Sequence, residues 1–557
     1  MYSFNFNHMK MKKFYLLACA GLLFAACSSE DGPANPEEQN AEAKYMAVNI
    51  VTNNAGTRAD GDFEYGTEDE YAVSAGNVVF YFFNADGSPF LLTDGTNHKT
   101  PTTEAFTAGS VSTTSGNNIT VSHQVLAFQS QSGSIPAQMI TIINPEDNLI
   151  KDQYTLSQLR EALITNGKPT AGFTMTNSVY ADALGNTVDA TPITSANIGT
   201  TKETAQANPV EIYVERVVAK LTTNATGDAY ANNVVGKTYQ LASPGQYADY
   251  TAVPALQVQI TGWYMVNNTS NSFLLKNIDN NKAWTAQNWN DITNHRSYWA
   301  NTPFTSIQKE GNTTISYNTM NNTAQYKYPF ENTTDTTTII FAAQLQTAKE
   351  DGTAGTAVTL IRWLSQYYTV DMFNTALENY LSNEIYTYTA AQDSTEGTWA
   401  SIKAADIDFK AIENSDITVA GLQDYNVKLV LKDGNTTQYY SKKSTTATLT
   451  HDEVNAILAN VPKVQYWNNG MCYYYANITH SASVKPNDVD ANKFFGVVRN
   501  HWYQLTINSI TGLGTPVYDA TNSVIPKRPQ DETWFLATTL NVLSWKIVSQ
   551  TVDLTSK

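Results

Sequence analysis

Short apolar stretches recur along the chain, and most have the length and composition of β-strands. The segment KYMAVNIV places Met46, Val48 and Ile50 on one face, as in a strand with one buried side. The same reasoning predicts strands at residues 77–83, 138–144, 210–223, 256–266, 337–345, 425–433, 471–478 and 502–510. Because these segments are rich in Val, Ile, Tyr and Thr, which fit a pleated sheet surface, we predict a mainly β protein.

Only three segments show helical periodicity. TLSQLREALITNG predicts a helix whose apolar stripe reaches Leu163. A second helix is predicted over residues 369–381, and a third begins at Thr450, where Glu453 has the spacing of a capping box. Because strands outnumber helices, we expect β-sandwich domains with a few inserted helices.

The N-terminus has the pattern of an export signal that ends in a lipidation site. Lysines precede an apolar run from Phe14 to Phe24, which is too short to span a bilayer but typical of a signal peptide. Small residues stand directly before Cys27, as where a thiol is lipidated. An ordinary secretory signal with a chance cysteine is the alternative. The candidate first residues are Met1, Met9 and Met11.

Composition and charge exclude several classes of protein. Charged residues make up 15% of the 557 residues, against about 25% in a typical chain, which argues against a coiled coil. The formal net charge of -17 repels phosphate backbones, so no nucleic-acid partner is predicted. With Cys19 removed and Cys27 lipidated, Cys472 has no disulfide partner and is predicted to be a buried, inert thiol.

Motifs for catalysis or metal binding are incomplete. No histidine pair has HxH or HxxxH spacing, and no CxxC occurs. VVGKT (234–238) ends like a phosphate-binding loop, but Ala231 replaces its first glycine. DVDAN (488–492) begins like a calcium loop, but Lys493 replaces its glycine. We therefore predict no enzyme, no catalytic residue, no metal and no cofactor.

One arginine stands alone after the first predicted strand. Arg58 is the first arginine of the chain, and the next is Arg160. Its neighbours, AGTRADGD, are small and polar, as in an exposed, cleavable loop. The alternative is an ordinary surface arginine.

The C-terminus is apolar and strand-like, and it follows a linker broken by Pro526 and Pro529. By parity its apolar residues form three groups: Leu536, Leu540 and Val542 on one face, Trp545 and Ile547 on the other, and Val548, Val552 and Leu554 on the first again. This predicts two short strands with a break near Leu543 and Ser544. The tail could close its own sheet, or it could add to the sheet of a neighbouring subunit.

The chain resembles the Mfa-type fimbrillins of type V pili. The likeness is carried by TRADGD (57–62), FTMTNS (173–178), VERVVAK (214–220), NHRSYWANTP (294–303), YYYANI, VVRNHWYQLTINSITGLGTP (497–516) and the tail from Trp534, in that order after the lipidation signal. The resemblance implies two β-sandwich-like, transthyretin-like domains. It also implies an outer-membrane lipoprotein precursor that becomes part of a cell-surface fimbrium.

The family's assembly mechanism, carried over residue by residue, implies a division of this chain. The implied segments are a signal peptide 1–27 ending at lipidated Cys27, a propeptide 28–58 with a removable strand at 44–51, domains 59–220 and 221–530, and a donor segment 531–557. An Arg-specific surface protease would cut between Arg58 and Ala59. Removal of the first strand would open a groove in the sheet, and the next subunit's tail would fill it. The implied donor residues are Leu540, Val542, Trp545, Ile547, Val552 and Leu554.

These implications define the partners and leave two alternatives. The implied partners are identical subunits in a head-to-tail polymer, tip and anchor subunits, the protease and, before cleavage, the outer membrane. The implied role is that of a stalk subunit. A tip or anchor subunit is one alternative, although a tip is expected to lack the donor tail and an anchor to lack the cleavage site. A carbohydrate-binding surface lipoprotein is the other, because Trp and Tyr suit sugar stacking, although they more often fill cores.

Replacing the lipidated cysteine tests the export signal. Cys27→Ala should abolish lipid labelling and surface delivery, because the thiol is the attachment atom. Metabolic labelling with a lipid precursor measures this, and normal labelling of the variant would contradict the assignment.

Overall fold

The chain folds into β-sheets joined by short helices, which confirms the predicted mainly β class. The computed structural model describes residues 44–51, 78–93, 98–99, 121–128, 134–151, 153–168, 172–181, 187–225, 233–241, 255–266, 268–277, 315–320, 326–332, 337–392, 396–411, 427–478, 496–521, 536–543 and 548–552. No helix within these ranges is both long enough and apolar enough to cross a membrane.

The first part of the chain contributes thirteen of the described strands and two short helices. The strands are β1 (Lys44–Val51), β2 (Val78–Phe83), β3 (Leu92–Thr93), β4 (His98–Lys99), β5 (Val121–Phe128), β6 (Gln138–Ile143), β7 (Leu163–Ile164), β8 (Met175–Asn177), β9 (Tyr180–Ala181), β10 (Thr187–Val188), β11 (Thr191–Pro192), β12 (Ile198–Gly199) and β13 (Val210–Arg216). The helices are α1 (Leu156–Glu161) and α2 (Lys202–Gln206).

The second part contributes the remaining described elements. The strands are β14 (Lys220–Ala225), β15 (Thr238–Gln240), β16 (Leu256–Val266), β17 (Ser272–Phe273), β18 (Tyr326–Lys327), β19 (Thr338–Thr347), β20 (Leu360–Trp363), β21 (Gln366–Tyr368), β22 (Tyr386–Thr389), β23 (Thr398–Ser401), β24 (Ile407–Ala411), β25 (Val427–Leu431), β26 (Tyr439–Tyr440), β27 (Thr448–Leu449), β28 (Gln465–Trp467), β29 (Met471–Asn477), β30 (Trp502–Ile510), β31 (Thr515–Pro516), β32 (Leu536–Leu543) and β33 (Val548–Val552). The helices are α3 (Tyr317–Met320), α4 (Val370–Leu381) and α5 (His451–Leu458).

The N-terminal sheet has eight strands and buries both of its faces. Its order is β11-β6-β8-β13-β1-β12, with β2 paired to β6 and β5 paired to β1. One face buries Phe80 and Phe82 in a core with Met46 and Val48 of β1. The other face belongs to a second core, which includes Tyr81 and two leucines of α1. Burial on both sides explains why the strand segment VVFYFF is apolar throughout.

Two five-stranded sheets share one core in the second part of the chain. Their orders are β18-β14-β30-β32-β33 and β15-β16-β19-β29-β31. Leu505 of β30 and Trp263 of β16 both belong to the core cluster that the two sheets share, as in a β-sandwich. Cys472 is buried in this core as a free thiol, as predicted, and burial raises the pKa of that thiol.

A small body is inserted between β19 and β29. It contains β20 to β28 with α4 and α5, and most of its buried residues form a hydrophobic cluster of their own. Leu360, Tyr367 and Trp467 of the insertion belong instead to the core of the two five-stranded sheets. The predicted helix at 369–381 is confirmed as α4. The predicted capping box is also confirmed, because the Thr450 side chain accepts from the Glu453 amide while Glu453 accepts from Thr450. The strands of this insertion have two to five residues each.

Two predicted elements are wrong in their extent. Helix α1 ends at Glu161, and Leu163 lies instead in β7, because the Ala162 carbonyl accepts from the amide of Leu274 (2.8 Å) and β7 pairs with β17. The strand predicted at 210–223 is two strands, since β13 ends at Arg216 and β14 begins at Lys220. The break moves the chain from the N-terminal sheet into the second group of sheets.

Candidate functional site

The first strand lies in the interior of its sheet. All eight residues of β1 pair antiparallel with β5, from Lys44 opposite Phe128 to Val51 opposite Val121. On its other edge, β1 pairs parallel with β13 over residues 48–51 and antiparallel with β12 at Tyr45 and Met46. The backbone of β1 is therefore hydrogen-bonded along both edges.

The side chains of β1 complete the core on one face of the sheet. Met46 and Val48 have 0% exposure and pack with residues of β2, β6 and β13. Each buried apolar side chain of this size contributes about 1.5–3 kcal/mol. Ala47, on the opposite face, is also buried. Loss of β1 would therefore leave an apolar groove between β5 and β13.

The predicted cleavage and lipidation residues lie outside the described residues. Cys27 precedes β1, and Arg58 and Ala59 fall in the connection between β1 and β2, which occupies residues 52–77. The order of the strands still has a consequence. Because β1 ends at Val51 and β2 begins at Val78, a single cut in this connection separates β1 from the other strands of the sheet.

The C-terminal tail forms a hairpin on its own chain's sheet. β32 pairs antiparallel with β30, with Leu540 opposite Leu505 and Val542 opposite Tyr503. β33 then pairs with β32, with Val552 opposite Thr538. The predicted break is confirmed, because β32 ends at Leu543. Trp545, Ile547 and Leu554 lie outside the described residues. The arrangement matches the first of the two alternatives left open for the tail.

The hairpin leaves β33 at the end of its sheet. The order β18-β14-β30-β32-β33 gives β33 one neighbour, β32. Among the described strands, none pairs with the other edge of β33. An open strand edge can add a further strand or leave its sheet more readily than an interior strand can.

Two motifs that carried the fimbrillin resemblance meet at the junction of the two parts. The amide and guanidinium of Arg216 both donate to the Asn500 side-chain oxygen at 3.3 Å. The Asn500 amide donates to the Val218 carbonyl at 2.9 Å, and the Lys220 amide donates to the His501 carbonyl at 2.8 Å. The segments VERVVAK and VVRNHW are therefore joined by hydrogen bonds, although Arg216 and Asn500 are 284 positions apart in the sequence.

A buried arginine lies beside this contact. The Arg499 guanidinium has 0% exposure, and its Nη2 lies 2.6 Å from Oε1 of Glu331, which is also fully buried. It further donates to the carbonyls of Leu274 (3.0 Å) and Phe273 (2.6 Å) and to the hydroxyl of Ser272 (3.1 Å). With its charge and several donors satisfied, this guanidinium connects β30 to the segment that contains β17.

A second buried ion pair ties β13 to the same segment. Nζ of Lys276 lies 3.3 Å from Oε2 of Glu215, and the two side chains are 1% and 0% exposed. Burial raises the pKa of Glu215 above its usual value of 4.5, although Lys276 and Arg499 oppose that change. Neither Glu215 nor Lys276 is predicted from the sequence as a functional residue. The available signal was a set of charged residues within the apolar pattern of VERVVAK.

No metal site accompanies these features in the described part of the chain. Among those residues, no three His, Cys, Asp or Glu side chains are grouped closely enough to hold an ion.

Comparison with known proteins connects the C-terminal region to fimbriae. Residues 465–551 match the family described as "Major fimbrial subunit protein type IV, Fimbrillin, C-terminal". The matched region runs from β28 into β33 and therefore includes most of the tail hairpin. This match confirms the fimbrillin resemblance and supports a role as a fimbrial subunit. No curated protein sequence matches the chain.

Three solved structures are similar to this chain at low sequence identity. A candidate cell adhesion protein from Parabacteroides distasonis is 12% identical, with a TM-score of 0.34 over 92% of this chain and 98% of that one. A fimbrial assembly protein from the same organism is 11% identical, with a TM-score of 0.27 over 70% and 94%. The tip fimbrial protein Mfa3 from Porphyromonas gingivalis, with C-terminal truncation, is 9% identical, with a TM-score of 0.29 over 90% and 100%.

Removing the lysine of the buried pair tests how strongly the junction depends on it. Lys276→Met should lower the free energy of unfolding at pH 7 by about 3–5 kcal/mol, because it leaves Glu215 buried without its partner. Chemical denaturation measures the change. As a control, Lys403→Met removes an exposed lysine that lies 3.2 Å from Glu378, and it should change stability by less than about 1 kcal/mol.

The pH dependence of this loss has a defined sign. Lys276 opposes the rise in the pKa of Glu215, so its removal raises that pKa further in the folded chain. The stability deficit of Lys276→Met should therefore grow as pH rises through the pKa that Glu215 has in the folded, unchanged protein. The deficit should therefore be larger at pH 8 than at pH 5, and Glu215→Gln in the same chain should restore most of it. A deficit that does not change with pH would contradict this account.

Proposed function

We propose that this chain is a structural, non-enzymatic pilin that is exported as a lipoprotein through Cys27, activated by cleavage after Arg58 and polymerised through its C-terminal tail. The coarser role, a fimbrial subunit, has the support of the family match over residues 465–551.

The observation that carries the proposal is the position of β1. It is an interior strand of the N-terminal sheet, yet only the connection at 52–77 joins it to the following strands. A protease that cuts there converts an intramolecular strand into a separate peptide. The peptide can then dissociate, because it is held by hydrogen bonds and buried side chains alone.

The groove left by β1 defines what can replace it. The incoming strand runs antiparallel to β5 and parallel to β13, as β1 does. It also places apolar side chains two residues apart, in the positions of Met46 and Val48. Leu540 and Val542 of β32 have this spacing, and so do Val552 and Leu554. Strand addition of this kind combines main-chain hydrogen bonds with side-chain pockets.

The same tail residues are paired within their own subunit before assembly. β32 has two neighbours there, but β33 has only one. A strand that enters the groove gains two neighbours, so β33 gains backbone hydrogen bonds by the transfer while β32 does not. Donation of β33 and the residues that follow it is therefore favoured over donation of β32. The proposed donor segment remains within residues 531–557.

A polymer follows from the separation of the groove and the tail. The groove lies in the N-terminal sheet, and the tail belongs to a different sheet of the same chain. Head-to-tail contacts that do not close into a ring extend into a filament. Several buried side chains at about 1.5–3 kcal/mol each oppose an association cost of several kcal/mol. The subunit's own β1 blocks the groove until the protease has acted.

The cleavage site can be tested by sequencing the assembled protein. Fibres should begin at Ala59, and Arg58→Ala should leave lipidated, unpolymerised precursor. Arg160→Ala is a matched control, because Arg160 lies in helix α1 and is paired with Asp189 at 2.5 Å, and this variant should be cut and should polymerise normally. Fibres that retain residues 28–58 would rule out the mechanism.

Two truncations test which part of the tail is donated. Deleting residues 544–557 removes only the end strand, so the subunit should keep its melting temperature and accept a tail but extend no fibre from its own. Deleting residues 531–557 also uncovers the edge of β30 and should lower the melting temperature. Differential scanning calorimetry and electron microscopy measure these outcomes. Normal fibres from the shorter truncation would show that β33 is not the donor.

A further inference from the structure

Four aromatic side chains occupy one face of a small sheet in the inserted body. The sheet has the order β23-β22-β26-β27. Tyr388 of β22 is opposite Trp399 of β23, and Tyr386 is opposite Tyr440 of β26, so all four residues share a face. The ring centroids of Tyr388 and Trp399 are 4.8 Å apart, and those of Trp399 and Tyr440 are 5.1 Å apart.

These rings are not part of a hydrophobic core. The opposite face of the same sheet reaches the core of the inserted body through Tyr439, which is fully buried. None of the four rings belongs to that cluster, and each is only partly buried. A cross-strand aromatic pair is enough to stabilise a short hairpin. A row of four partly exposed rings is more than this structural role requires, and neighbouring apolar side chains that are left partly exposed are typical of interaction sites.

A glycine fixes the position of one ring. A Cβ atom on Gly397 would lie 2.4 Å from Oη and 2.5 Å from Cζ of Tyr388. The absence of a side chain therefore allows the Tyr388 ring to lie against the backbone beside β23. The row is thus held in place before any ligand binds, which lowers the ordering entropy that binding requires.

The charges around the row indicate a neutral ligand. Lys443 is exposed, and its Nζ lies 5.7 Å from the centroid of the Tyr386 ring, with exposed Lys442 beside it. Exposed Glu384 and Glu396 stand near the ends of β22 and β23. The whole chain, at -17, repels polyanions, so a neutral partner suits this face better than a polyanionic one.

We propose that the face formed by Tyr386, Tyr388, Trp399 and Tyr440 binds a neutral glycan. The flat C–H faces of pyranose rings stack on aromatic rings. The ring planes of Tyr388 and Trp399 are 43° apart and those of Trp399 and Tyr440 are 83° apart, so successive sugars of one chain would meet rings of different tilt. Charged side chains and the exposed hydroxyl of Thr448, which is opposite Tyr440, can exchange hydrogen bonds with sugar hydroxyls at the rim. The aromatic row contains no aliphatic side chain, whereas protein partners favour a desolvated apolar pocket. This inference is independent of polymerisation, because the sheet lies outside the groove and the tail.

Binding of defined sugars to the full chain tests the proposal. The probes are hexasaccharides of glucose, mannose, galactose and N-acetylglucosamine, measured by isothermal titration calorimetry. At least one should bind, and Trp399→Ala should weaken that binding by about ten-fold or more, as loss of one stacking ring does for other flat ligands. Tyr440→Ala is a second variant, in case removal of Trp399 disturbs the fold, and it should also weaken binding.

A matched control separates this face from general aromatic exposure. Tyr380 of α4 is 46% exposed and lies outside the row, so Tyr380→Ala should bind the hexasaccharide as the unchanged protein does. The proposal is overturned if none of the four hexasaccharides binds, or if both row variants bind as tightly as the control. Displacement of the sugar by a thymidine oligonucleotide would likewise overturn it in favour of a stacking site for bases.

Discussion

The pairing of β1 with β5 and β13 is the interaction on which the N-terminal sheet depends. In the described part of the chain, β5 pairs with no strand other than β1. Removing β1 therefore takes the backbone partner from β5 and two side chains, Met46 and Val48, from the core. A strand that is essential to its sheet and joined to it through one connection is a natural point of control. The sheet is complete only while a strand, from this chain or from another, fills that position.

The two walls of the groove are held very differently. β13 carries Glu215 and Arg216, which are tied to Lys276 and Asn500 in the second part of the chain. These buried, charge-assisted contacts fix β13 regardless of β1, since breaking one of them leaves an unpaired charge in the interior. Among the described strand pairings, β5 pairs with β1 alone. We therefore expect cleavage to loosen the β5 side of the groove, while β13 keeps its place and presents a fixed edge to the incoming strand.

The sequence was sufficient where a strand is long and regularly apolar. Residues 256–266 and 502–510 were predicted with the observed bounds, because each apolar pattern stays within one strand of one sheet. The prediction over 210–223 was wrong because the apolar pattern continues through the turn where the chain passes from one sheet to another. An apolar pattern does not indicate which sheet a residue joins. Within the insertion, β25 falls inside the strand predicted at 425–433, whereas the other strands have two to five residues and are too short for periodicity to identify. The partner of Glu215 is 61 residues away, so its buried ion pair has no local signal.

Hydrogen exchange of the β5 amides tests the central claim most directly. Exchange is measured by mass spectrometry in three states: the uncut precursor, the cut monomer freed of residues 28–58, and the assembled fibre. If β1 and a neighbour's strand occupy the same position, residues 121–128 should be protected in the precursor, exchange rapidly in the cut monomer and be protected again in the fibre. Equal protection of β5 in the precursor and the cut monomer, or rapid exchange of β5 in the fibre, would contradict the account.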